Sequence, residues 1–173
     1  MALFPPIDES PEAVRAALAP LRNDLSIALV SLGNPFAVGA IIRVAHSFLV
    51  KEIIILGDAP FYEKASMGME KYETLVRLPD ADALFAHVKG RPVWAVEKDQ
   101  ARRSLYEPGE FPKGVVFLFG SERGGLPNEL LTRADEVVGI PMYGVNHSFP
   151  VAIAAGMVMG EWARRHYGGN AVV

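Results

Sequence analysis

The run Glu52 to Leu56, "EIIIL", limits the fold more than any other stretch of the chain. Three isoleucines and a leucine in succession leave no polar side to face water, so the segment belongs in a strand covered on both faces. Similar short apolar runs recur as "SIALVSL" from Ser26, "PVWAVE" from Pro92, "VVFLFG" (Val115 to Gly120) and "EVVGI" from Glu136. Helical patterns lie among them. In "VGAIIRVAHSF", Val38, Ile41, Ile42, Ala45 and Phe48 share one face at helical spacing. "DADALFAHV" reads as a helix, "NELL" opens another after Pro127, and a last one runs from Phe149 to about Tyr167. Ser10, Pro11 and Glu12 form a cap and first turn for a short helix that stops near Pro20. Strands separated by helices imply an α/β fold: a mostly parallel sheet with helices on both faces.

At 173 residues without repeats or linkers, the chain is expected to form a single domain over 1–173, with 1–22 as an N-terminal helical extension. The absence of cysteine removes disulfides, thiolate nucleophiles and cysteine-bound zinc. His46, His87, His147 and His166 show no ligand spacing, so no metal is expected. "MALFPPIDESPEAV" carries acids and prolines where a secretion signal needs a basic flank and an apolar core. The apolar run Val151 to Gly160 is about half the length of a membrane span. A cytoplasmic protein without a membrane partner is expected. The net charge of −3 argues against coating nucleic acid by bulk electrostatics, but leaves room for local basic patches at Arg102–Arg103 and Arg164–Arg165, which ordinary solvated faces would also explain.

Ligands of parallel sheets bind at the carboxyl ends of the strands, where three loops stand out. In "GNPFAVGAIIRVA", Arg43 interrupts an apolar helical face and must reach an anion or snorkel to solvent. In "FLFGSERGGLP", three glycines surround a Ser-Glu-Arg core; Glu122 is a catalytic or ligand-orienting carboxylate, or a loop glutamate that caps the following helix. A phosphate loop is conceivable there, but the lysine and spacing of a P-loop are missing. In "MYGVNHSFPVAIAAG", Ser148 followed by Pro150 suits a helix start, and the small residues of "AIAAG" admit a close neighbour.

Taken in order, "NPFAVGAIIRVAHSF", "VVFLFGSERGGLPNELL" and "VVGIPMYGVNHSFPVAIAAGMVMGEW" resemble the three motifs of the SpoU (TrmH) branch of the SPOUT RNA methyltransferases. "KASMGMEKYE" resembles the segment that follows the second strand there, and the likeness spans Ser26 to Trp162. The resemblance implies a C-terminal trefoil knot that holds S-adenosyl-L-methionine, and a homodimer whose substrate site is shared between chains. The implied reaction is methyl transfer to a ribose 2′-hydroxyl of tRNA or rRNA, with tRNA favoured over rRNA. Val96, Gly120, Ile140, Met142 and Ser148 match cofactor-binding positions, and Arg43, Glu122 and Ser148 match catalytic ones. The branch assigns deprotonation of the hydroxyl to its arginine. Because a guanidinium stays protonated, a phosphate clamp or stabilisation of an emerging alkoxide is weighed equally.

Two positions depart from the pattern. Ala37 and Pro150 stand where the branch has asparagines, with Asn34 and Asn146 nearby but out of register. They motivate an alternative, a knotted RNA- or S-adenosylmethionine-binding protein with little or no catalysis. With no room for an appended RNA-binding domain, RNA recognition is expected from the dimer surface and from the segments Met1 to Arg22 and Arg164 to Val173.

Overall fold

The computed structural model describes residues 8–166, so parts of both terminal segments singled out for RNA recognition lie outside the described residues. In chain order the strands are β1 (Ser26–Val30), β2 (Ile53–Leu56), β3 (Leu75–Leu78), β4 (Val93–Val96), β5 (Arg103–Ser104), β6 (Val116–Phe119) and β7 (Glu136–Gly139). The helices are α1 (Pro11–Leu18), α2 (Pro35–Ser47), α3 (Glu63–Ser66), α4 (Ala81–His87), α5 (Asn128–Arg133) and α6 (Val151–His166). All pairings are parallel, in the order β3-β2-β1-β6-β4-β7-β5.

The continuous apolar runs are explained by this arrangement. Alternate residues of β1 serve two cores: Ile27 and Leu29 pack with α2 and α6, while Ala28 and Val30 pack with α4 and α5. Ile53, Ile54 and Ile55 of β2 are fully buried, and each contributes about 2 kcal/mol by leaving water. Local caps agree with the sequence. Ser10 accepts from the Ala13 amide at 3.2 Å, Asn34 from Phe36 at 3.1 Å and Asp80 from Ala83 at 2.8 Å. Asn34 therefore opens α2, with Pro35 as its first helical residue.

Three elements carry no sequence signal strong enough to find them. β3 has an exposed arginine, Arg77, in its middle, and β5 and α3 have only two and four residues. The last helix begins at Val151, two residues later than its pattern suggests.

The amino ends of the strands are closed by paired charges. Glu73, whose side chain is 0% exposed, takes hydrogen bonds from Arg22 at 2.8 Å and His46 at 2.8 Å. Glu52 is held by Arg91 at 2.6 Å, His87 at 2.8 Å and the Ser26 hydroxyl at 3.2 Å. Burial raises the Glu52 pKa, but the hydrogen bonds and charges of His87 and Arg91 outweigh it, so the carboxyl lies below its ordinary value. Arg91 also donates to the Gly114 carbonyl at 2.9 Å, which ties the entry of β6 to the same cluster.

Candidate cofactor cavity

At the other end of the sheet, the segments after β4, β6 and β7 enclose a cavity of about 490 Å³. Such a volume suits a small molecule. Val96, Phe119, Ile140, Met142, Val151 and Ala154 supply its apolar walls. Gly120, Glu122 and Ser148 line it too, so the residues matched by resemblance meet in one place, with Arg43 the exception.

The loop 120–126 is shaped by its glycines. A Cβ on Gly120 would overlap the backbone of Gly125 and Leu126, so only glycine lets the loop fold back on β6. Gly125 has φ +60°, and a Cβ there would sit 2.5 Å from a Glu97 carboxylate oxygen. The loop is closed by its own amides. Gly125 donates to the Ser121 carbonyl at 2.8 Å, Gly124 to the Ser121 hydroxyl at 3.1 Å and Leu126 to Glu97 at 3.3 Å. These amides are used inside the protein and a carboxylate stands among them, which is the wrong electrostatics for a phosphate cradle. The phosphate-loop reading of "GSERGG" is thereby corrected.

Glu122 does not cap the helix that follows it, α5, which has no side-chain cap; it caps a helix distant in sequence. Its carboxylate accepts the Val151 amide at 3.3 Å, placing negative charge at the N-terminus of α6 and joining the second motif to the third. Ser148 does not cap that helix. Its hydroxyl makes no hydrogen bond among the described residues and the residue lines the cavity, while the Pro150 carbonyl accepts from Ile153 at 2.9 Å and Ala154 at 3.0 Å. Pro150 thus stands just before the first helical residue, where its missing N–H costs nothing.

Arg43 lies outside the cavity. Its side chain projects from α2 into solvent with no partner among the described residues, on the face that carries Phe36 and Ala40. Helix α2 packs along α6 on one side and α3 on the other. At Gly39 a Cβ would meet the Tyr62 carbonyl at 2.5 Å, so glycine is needed for that contact. Ala37 is 8% exposed within the core cluster rather than at the cavity. An amide there would have to be buried with partners of its own.

Sequence reasoning missed Glu97 and Lys98. Glu97 pins the glycine loop, and the Lys98 ammonium donates to the His147 carbonyl at 3.1 Å, tying the segment after β4 to the third motif. The charged tripeptide Glu97-Lys98-Asp99 directly after a buried strand is the signal that points to them. Among the described residues, no cluster of His, Asp and Glu could hold a metal ion, and no helix is long and apolar enough to cross a membrane.

A parallel α/β sheet with a self-closed glycine loop and a cavity at its carboxyl ends defines a class of small-molecule-binding α/β proteins. Within that class, residues 24–160 match the SpoU rRNA Methylase family, and the chain belongs to it. The tRNA (guanosine(18)-2'-O)-methyltransferase of Thermus thermophilus is 30% identical over 149 residues, covering 83% of this chain and 76% of that enzyme. The 23S rRNA (guanosine-2'-O-)-methyltransferase of Coxiella burnetii is 23% identical over 92% of this chain and 66% of its own length. Among solved structures, one that gives insight into 2-OH methylation of C/U34 on tRNA superposes with a TM-score of 0.76 at 27% identity, covering 83% of this chain and 97% of the other. An AdoMet-bound rRNA methyltransferase from Sinorhizobium meliloti superposes with a TM-score of 0.73 at 28% identity, over 83% and 56%.

Proposed function

We propose that this protein is an S-adenosylmethionine-dependent RNA methyltransferase acting on a ribose 2′-hydroxyl, with tRNA as its substrate. One observation carries the reading: the second and third motifs close a single cavity, joined by the hydrogen bond from the Val151 amide to Glu122. The cavity fits the cofactor. Apolar side chains from Val96, Ile140 and Met142 can flank a purine ring while the backbone beside Gly120 satisfies its edge. Three carboxylates, Glu97, Asp99 and Glu122, stand against two formal cations, Lys98 and Arg123, which suits a positively charged ligand. When bound, S-adenosylmethionine supplies an electrophilic methyl group on its sulfonium. Glu122 orders the start of α6, and the unpartnered Ser148 hydroxyl is free to bond cofactor or substrate.

Arg43 is assigned the RNA side of the reaction. A guanidinium does not take a proton at neutral pH, so its work is to clamp a phosphate and to lower the cost of negative charge on the ribose oxygen. Its distance from the cavity in one chain is the reason to expect a homodimer. Phe36 on α2 and Ile153 on α6 are exposed apolar residues on this pair of packed helices, and a dimer formed through them is the arrangement in which Arg43 would serve a partner's cavity. The order β1-β6-β4-β7, with a late strand inserted between two earlier ones, supports the knotted threading of a single domain with 1–22 as an extension. A tRNA substrate accords with the Thermus thermophilus relative and with the match to nearly the full length of the chain linked to tRNA position 34. A cytoplasmic enzyme is part of the same proposal.

The test is label transfer from tritiated S-adenosylmethionine to tRNA from a strain lacking the gene, followed by digestion to nucleosides. Label in a 2′-O-methylated nucleoside is expected. Label on a base would overturn the ribose assignment, and cofactor binding without transfer to tRNA or rRNA would favour the binding-protein alternative.

A further inference from the structure

Beside the cofactor cavity runs a second depression, an open groove of about 440 Å³ between the segment 98–104 and the loop 139–146. The two share Lys98, Ile140 and Met142 and are therefore neighbours. Their charges differ. The groove is lined by Lys98, Arg102 and Arg103 and by no acidic residue, in a chain whose net charge is −3.

The three cations are not equivalent. Arg103 is occupied: it pairs with Glu107 at 3.5 Å, donates to the Pro108 carbonyl at 3.4 Å and lies over the Trp94 ring at 5.5 Å. Lys98 is partly occupied by the His147 carbonyl, with Asp99 3.9 Å away. Arg102 is exposed and its guanidinium has no partner among the described residues, while its backbone is fixed by the bond from its amide to the Val137 carbonyl at 2.8 Å. It is a cation on a rigid mount at the sheet edge. The close approach of this segment to β7, where a Cβ on Gly139 would lie 2.8 Å from that of Ala101, holds the mount in place.

We propose that this groove carries the single-stranded RNA that flanks the methylated nucleotide, with Arg102 contacting its phosphate backbone. The inference rests on the RNA methyltransferase reading. A polyanion suits a cation-only groove, and a strand lying there would bring its neighbouring ribose beside the adjacent cofactor cavity. Arg102 is a phosphate-positioning residue; it fixes where the strand lies and carries no sequence information of its own.

The experiment compares wild type, Arg102→Glu, Arg102→Gln and a charge-matched control, Lys89→Glu, at an exposed position near the amino ends of the strands. Unmodified tRNA transcript and S-adenosylhomocysteine are the probes. Expected for Arg102→Glu is a rise in KM for tRNA of roughly tenfold or more, with S-adenosylhomocysteine affinity by calorimetry within twofold of wild type. For Arg102→Gln, the slope of log Kd for tRNA against log salt should fall by about one unit. Lys89→Glu should change neither. Equal tRNA binding by Arg102→Glu and Lys89→Glu would overturn the proposal, whether the groove then served an acidic protein or a second copy of the chain. Should wild type bind tRNA in an Arg102-dependent way yet transfer no methyl group, the groove stands and the enzymatic reading falls. Should Arg102→Glu transfer methyl groups with an unchanged KM for tRNA, the enzymatic reading stands and the groove falls.

Discussion

The two ends of the parallel sheet treat charge in opposite ways. At the amino ends, Glu73 and Glu52 are sunk in the protein and each meets an arginine and a histidine within 2.8 Å. At the carboxyl ends, Arg102 and Arg123 have no protein partner among the described residues and Ser148 keeps a free hydroxyl; Arg43, on the exposed face of α2, has no partner among them either. Paired and buried charge fixes structure, because removing one partner strands the other in a poor dielectric. Unpaired exposed charge contributes almost nothing to stability and remains available to a ligand. The difference separates what holds this fold together from what the fold is for.

The comparison would break most visibly at Glu73. Glu73→Ala leaves Arg22 and His46 without their shared carboxylate and should cost about 4 kcal/mol of unfolding free energy, read from urea midpoints. S-adenosylhomocysteine affinity below the unfolding transition should stay unchanged, and a small loss of stability would mean that the amino end is no lock. Among the unpaired charges, Arg43→Ala should lower kcat by roughly 100-fold, the scale of losing one stabilising donor, with cofactor affinity within twofold. Gly120→Ala separates loop closure from both. The added methyl overlaps the backbone of Gly125, so the loop opens and S-adenosylhomocysteine binding should weaken at least about tenfold, a cost of ~1.4 kcal/mol.

The smallest effect concerns pH. Glu161 is held by hydrogen bonds from Arg164 and from Arg165, which bring its pKa from 4.5 down to about 2 despite the opposing effect of burial. Since the folded value is the lower one, its contribution is complete above about 4.5 and fades as the pH falls towards 2. Glu161→Gln should therefore melt below wild type at neutral pH, and the gap in Tm should close between pH 4.5 and 2. A gap independent of pH would show that packing, not ionisation, is what Glu161 supplies.

The sheet was legible because burial on both faces leaves an unmistakable trace: "EIIIL" and "VVFLFG" are almost wholly apolar, with no alternate polar positions to face water. β3 escaped because Arg77 breaks its run, and β5 because two residues cannot display a period. The site was legible as three separate loops, and resemblance supplied their conjunction. What no local pattern could provide was the pairing between distant segments. Glu122 serves a helix 29 residues onward, and Glu97 pins a loop at the same separation. Ser148 looked like a cap because the sequence around it permits one, but the amide it would have capped is already taken by Glu122. The departures at Ala37 and Pro150 also change meaning. One is core, where an asparagine would bury an amide, and the other directly precedes α6, where the missing N–H of a proline costs nothing.

The central claim is that the unpartnered, exposed charge is functional and not structural, and Arg43→Ala tests it most directly when stability and transfer are read on the same preparation. The expected result is an unfolding free energy within about 0.5 kcal/mol of wild type together with a roughly 100-fold loss of 2′-O-methyl transfer to tRNA. A variant that unfolds several kcal/mol more easily while still transferring methyl groups at the wild-type rate would contradict it.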